Sequence, residues 1–240
     1  MLASLPMMTD RIVAMFVGAA GVGFVVATTR SRLPWERLFL AGFSADAARF
    51  SYRVLIAGSN LGVGFASVVQ MVLALGAFVA FVGSAGVATT TRRRLASLGM
   101  AAYVTNALWI TVLGVRCGSA LQIGCKQIPK DAALGLYLTA AVLLLVASAR
   151  PDDASHPRTI FIGLAAFISY PAYRLFVGVI FSERPRGFDT LLNLITGFGA
   201  LAAFIFAARS NAKERIFALA LASITIPLAW TALVLLFGGS

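Results

Sequence analysis

The sequence predicts an all-α fold: a polytopic membrane helical bundle of seven transmembrane helices plus one interfacial amphipathic helix, in a single integral membrane domain over 1–240. Three observations carry this reading. Of 240 residues, 60% are hydrophobic and 12% charged, with a mean hydropathy of +0.89, against roughly 25% charged residues in an average soluble domain. A water-soluble fold of this size could not hide so much apolar surface, because its periphery must be largely polar. The apolar residues also gather into seven windows close to the roughly 20 residues that cross a hydrocarbon core, each bounded by charge or turn residues. A soluble enzyme and a disordered chain are both excluded.

The first window, 12–29, follows a short start from Met1 to Arg11. It is longer than a signal-peptide core and no small-x-small cleavage site follows it, so it reads as a span. The next stretch, 30–60, differs. On a helical wheel Phe39, Leu40, Phe43, Ala47, Phe50 and Val54 share a face, with Asp46, Arg49 and Arg53 beside it and Pro34 in the first turn. That amphipathic pattern predicts a helix lying along the membrane interface. Gly58-Ser59-Asn60 then turns the chain into the main bundle, 61–237. The alternative is an eighth transmembrane helix whose charges face protein, which costs several kcal/mol unless they are paired.

The remaining windows are 61–83, 95–115, 132–149, 159–181, 190–208 and 216–237. They are punctuated by Arg92-Arg93-Arg94, Arg150-Pro-Asp-Asp, Ser182-Glu-Arg-Pro-Arg186 and Arg209-Ser-Asn-Ala-Lys-Glu-Arg215, and Asp189 is placed to cap the helix after it. Small residues such as those of Gly18-Ala-Ala-Gly21-Val-Gly23 let helices approach closely in lipid.

Between the third and fourth windows lie the two cysteines, Cys117 and Cys125, flanking a short spacer with a glycine at each end. The spacing predicts a disulfide loop, which needs an oxidising face of the membrane. Two thiols do not complete a metal site, and the one histidine, His156, lies in another loop. Placing Arg92, Arg93 and Arg94 in the cytoplasm puts eight basic residues inside and five outside from residue 92 onward. The positive-inside rule thus agrees with a Cys117–Cys125 loop and a C-terminus on the outer, periplasmic side. A bacterial inner (plasma) membrane is the expected location, with an organelle inner membrane as alternative.

The formal charge is +11. In a chain of spans this predicts contact with anionic lipid head groups and no nucleic acid. Intramembrane ionisable residues are the default markers of function, and one stands out: Arg174, within Ser169-Tyr170-Pro171-Ala-Tyr173-Arg174. Pro171 frees a backbone carbonyl and kinks the helix, and Tyr170 shares a face with Arg174. These five residues, Ser169, Tyr170, Pro171, Tyr173 and Arg174, form the candidate contact for a ligand or partner. Arg174 also lies near enough to its helix end to snorkel to the interface. Other polar residues within spans are Thr105, Asn106, Trp109, Asn193, Thr196, Ser223 and Thr225 beside Pro227, and these residue types are expected to bond neighbouring helices.

No carboxylate falls within the seven windows, so a proton relay or cation site is not expected. No catalytic constellation, metal set or phosphate-binding glycine loop is present, and no enzyme activity or cofactor is predicted. Phe167-x-x-Tyr170-Pro171, followed by Asp189-Thr-Leu-Leu192, resembles the last two helices of microbial rhodopsins. That family attaches retinal to a lysine in the middle of its last helix. This chain has Leu201 to Phe204 there, so retinal is excluded. Two functions follow as expectations: an accessory or structural subunit of a larger membrane complex, or alternatively a small transporter or channel for an anionic or small polar solute that uses Arg174. The expected partners are the lipid bilayer and other membrane subunits.

Overall fold

Seven of the eight expected elements appear near their sequence positions, and the eighth, over 30–60, is the one that differs. The structure, a computed structural model, describes residues 10–56, 63–117, 130–151, 158–180, 186–210 and 214–237. Among them are eight α-helices and no strand: α1 Asp10–Arg30, α2 Pro34–Ile56, α3 Val63–Val87, α4 Thr91–Cys117, α5 Lys130–Ala149, α6 Arg158–Ile180, α7 Arg186–Ser210 and α8 Arg215–Phe237.

Local chemistry sets the described corners. Pro34 opens α2, where its missing N–H costs nothing. Ser31 braces that turn: its hydroxyl donates to Glu36 Oε2 at 2.6 Å and accepts from the Leu33 amide, while Arg37 Nε donates to the Ser31 carbonyl at 2.7 Å. At the next corner the Thr90 hydroxyl accepts from the Arg93 amide, an N-cap for α4.

Each helix packs on its chain neighbours, and α8 returns to α1, which closes a ring. Neighbours run antiparallel. Phe24 meets Phe43 at 5.2 Å between ring centroids, and Gly21 and Gly18 face Ala47 and Ser51 in turn. Likewise Gly99 faces Ala140 and Leu144, while Asn106 on the same helix meets Tyr137. The odd-numbered helices therefore all begin at one end of the ring, here termed the upper end. The apolar cores of all eight helices join one cluster.

The outside of the ring is as apolar as the inside. On α3, Phe65, Val68, Val72, Leu75, Val79 and Val82 recur at alternating spacings of three and four and are all exposed, Phe65 by 63% and Val79 by 58%. Such a continuous exposed apolar face belongs in lipid. Five helices are long and apolar enough to cross a membrane: the spans 11–30, 65–87, 91–113, 132–149 and 191–210. The chain is a helical membrane protein.

The helix expected at the interface, α2, packs within the ring. It runs antiparallel between α1 and α3, and buries Trp35, Phe39, Leu40, Phe43 and Ala47 in the core. Between the exposed Arg37 and Phe50, its outward side carries small residues: Ala41 and Ser44, partly exposed, and Ala48, exposed. The apolar side of the wheel faces other helices of the ring. The carboxylate excluded from the spans, Asp46, consequently stands near the midpoint of this 23-residue helix.

The lower half of the ring is filled with aromatic rings. Phe24, Phe39, Phe43, Phe81 and Phe217, from four helices, pack mostly edge-to-face at centroid distances of 5.2–6.3 Å. Trp35 stacks on Phe39, and its Nε1 donates to Ser97 Oγ at 2.9 Å. Arg93 lies over Trp35 and Arg92 over Phe161, so basic residues cap the aromatic layer. Two glycines make room for rings: a Cβ on Gly42 would lie 2.7 Å from Phe81, and one on Gly163 would lie 2.6 Å from Phe204. Gly163→Ala should therefore destabilise the protein by about 1–3 kcal/mol through overpacking, read as a lower thermal midpoint in detergent, with Phe204→Leu restoring most of the loss.

Cys125 lies outside the described residues. Cys117 is the last residue of α4, and its side chain is outside them too, so the predicted disulfide is not among the contacts described.

Candidate functional site

Polar side chains gather in the upper half of the ring, where the aromatic filling stops. Asp46 and Arg49 are three apart on α2 and so share a face. Arg49 Nε and Nη2 both donate to Asp46 Oδ1, at 2.9 and 2.7 Å, and the two side chains are only 10% (Arg49) and 18% (Asp46) exposed. On α4, Tyr103 and Asn106 are again three apart. Asn106 Nδ2 donates to the Tyr137 hydroxyl on α5 at 2.7 Å, and the Tyr103 and Tyr137 rings lie 5.9 Å apart. Asn106 Oδ1 is buried and has no hydrogen-bond partner among the described residues.

Two cavities meet at these residues. The first, about 390 Å³, opens among α2, α3, α4 and α5 and is lined by Arg49, Arg53, Ser67, Gln70, Tyr103, Asn106, Thr111 and Tyr137, with Phe50. The second, about 350 Å³, lies at the ring centre and is almost wholly apolar. Phe50 and Tyr103 line both. The ion pair straddles the wall between them, because Asp46 lines the apolar cavity and Arg49 the polar one.

The polar chamber carries net positive charge. Its described lining holds two arginines and no carboxylate, and only Arg49 is balanced, by Asp46 behind it. Arg53 makes no ion pair among the described residues. A guanidinium has five N–H donors, and Asp46 takes two of those on Arg49, so the fork retains donors for an anion held in a low-dielectric site. Asn106, Gln70, Ser67 and the tyrosines add uncharged donors and acceptors. Among the described residues, no three of His, Cys, Asp and Glu come together as a metal site would need.

The site expected on α6 stands apart from both cavities. Ser169 donates to the Ala166 carbonyl of its own helix at 2.8 Å, and α6 continues without a break through Pro171. Ser169, Tyr170, Pro171 and Tyr173 line neither cavity. Arg174 falls in the last two turns of α6, with its side chain outside the described residues. Of the other polar span residues, Asn106 bonds a neighbouring helix as expected. Thr105, Thr196, Ser223 and Thr225 instead turn back to carbonyls of their own helices.

Asp46, Arg49, Gln70, Tyr103 and Tyr137 were not singled out as a site by the sequence. One signal was available: an i, i+3 Asp/Arg pair inside an otherwise apolar stretch is the form that a neutralised intramembrane ion pair takes. No protein-family model, curated protein or solved structure matches the chain.

Proposed function

We propose that the protein binds a small anionic or polar solute within the membrane and passes it across, as a transporter or channel, with no catalytic step. The observation that carries this reading is the chamber between α2 and α5, which is lined by two arginines of which only Arg49 is paired with a carboxylate. In this reading the working cation is Arg49, assisted by Arg53, with Tyr103, Asn106 and Tyr137 orienting the solute. Arg174 keeps only an auxiliary part.

The same reading takes all eight helices as transmembrane. The ends and connections at the lower end of the ring then hold eleven basic residues: Arg30, Arg32, Arg37, Arg92, Arg93, Arg94, Arg150, Arg158, Arg209, Lys213 and Arg215. The upper end holds seven: Arg11, Arg53, Arg116, Lys126, Lys130, Arg184 and Arg186. The positive-inside rule sets the lower end in the cytoplasm, so the chamber belongs to the outer half and the aromatic layer to the inner half. A bacterial inner membrane is the proposed setting.

Proteoliposome flux tests the transport reading, using chloride, phosphate, acetate and benzoate as probes. Arg53→Gln removes a charge from the chamber without touching the ion pair, and should cut flux of the favoured anion about tenfold or more, the effect of losing one charge-assisted hydrogen bond of about 1.5–3 kcal/mol. Equal flux of all four probes through wild type, variant and empty vesicles would remove the reading.

A second reading, an accessory subunit of a larger membrane complex, is favoured by the outer face of α2. Ala41, Ser44 and Ala48 share a side there and allow close approach by another helix, unlike the bulky exposed stripe of α3. Stoichiometric partner chains in gently extracted native membranes would establish it.

A further inference from the structure

The apolar cavity at the ring centre has no part in the anion reading, and its lining describes a different occupant. Its walls come from α1, α2, α4, α6, α7 and α8 and include Val13, Val17, Leu164, Phe167, Ile224 and Leu228. At about 30 Å³ per water its 350 Å³ corresponds to about a dozen waters, and water in a cavity needs two to four polar partners. The lining offers few. The Thr225 hydroxyl is already bonded to the Ala222 carbonyl at 2.8 Å. What is left is at one edge, on the wall shared with the polar chamber. Both bonds from Arg49 fall on Asp46 Oδ1, so among the described residues Asp46 Oδ2 accepts none. Tyr103 lines the same cavity as Asp46 and the polar chamber as well.

From this arrangement we infer that the central cavity is a second binding site, for an uncharged hydrocarbon-bodied molecule with a single hydroxyl, an alcohol or a phenol. The body fills the apolar volume by dispersion contacts. The hydroxyl donates to Asp46 Oδ2 and accepts from Tyr103. Charge decides between candidate head groups. Asp46 is already neutralised by Arg49, so an ammonium would bring an unbalanced charge into a low-dielectric cavity, and a carboxylate would face Asp46 directly. A hydroxyl satisfies the acceptor without adding charge. An alkane would leave that acceptor unpaired, which disfavours it.

Photolabelling in lipid nanodiscs tests this. The probes are decanol, decane and decanoate, each carrying a diazirine, with labelled residues identified by mass spectrometry. The expected result is saturable labelling by the alcohol around Ile224 and Leu228, competed by plain decanol. It should exceed that by the alkane about tenfold, the equivalent of about 1.4 kcal/mol. Ile224→Phe, or Val13→Phe if the first variant fails to fold, fills the cavity and should remove the label. Arg53→Gln should leave it unchanged, so loss of the anion reading and loss of this one are told apart. Equal, uncompeted labelling by alcohol and alkane would mean that acyl chains simply enter the cavity, and preference for decanoate would return it to the anion chamber. Either overturns the inference.

Discussion

Arg49→Met should lower the unfolding free energy by about 3 kcal/mol, because it strands the Asp46 carboxylate inside the bundle. The effect is asymmetric with respect to its repair. Asp46→Leu added to Arg49→Met removes both charges and leaves apolar groups of similar size, so the double variant should recover most of the stability, or exceed that of the wild type. Solute binding should not recover, since the donor fork is gone. Denaturant unfolding in mixed micelles, with anion flux measured on the same preparations, separates the two roles. If the double variant were as unstable as Arg49→Met, the pair would be holding something other than each other.

The other large effect belongs to the aromatic layer. Phe81 is fully buried and meets Phe39 and Phe43 edge-to-face, at 5.6 and 5.3 Å. Phe81→Ala should cost about 3–5 kcal/mol, the usual range for deleting a buried ring and leaving its cavity. A cheaper loss is expected from Phe81→Leu, and Gly42 supplies a check on its cause. A methyl at position 42 points at the ring carbons of Phe81, so Gly42→Ala alone should destabilise by about 1–3 kcal/mol. Combined with Phe81→Leu it should fill part of the space and cost less than the sum. Additivity within 0.3–0.5 kcal/mol, typical of independent sites, would show that the two residues do not share that volume.

Composition and window length made the membrane bundle legible, because both read bulk properties that tertiary packing does not override. The status of 34–56 was not legible in the same way. An amphipathic wheel reports that two faces differ, and lipid, water and protein can each supply the difference. Phe39 and Phe43 look alike whether they meet acyl chains or Phe81. The polar site followed from the same ambiguity: once α2 is set at the interface, Asp46 and Arg49 become solvated charges and attention moves to Arg174. Tyr103 and Tyr137 lie on successive helices, far apart in the sequence, and nothing local to either announces that they face each other. Asn106 was legible as an interhelical hydrogen bonder, since an amide in a span has few other ways to be satisfied.

The ring order of the helices has a consequence for biogenesis. Every helix finds its packing partner next to it in the chain, so most of the fold consists of local pairings, which are the kind that form fast. As helices leave the insertion machinery, each can dock on the one before it, hairpin by hairpin, with no need to wait for distant segments. The main exception is the seam between α1 and α8, where Phe24 meets Phe217 and Gly23 lies against Ala220. That seam joins the two ends of the sequence and can form only after the rest is in place. Until then Phe24 and Phe217, which meet across that seam, lack each other's cover.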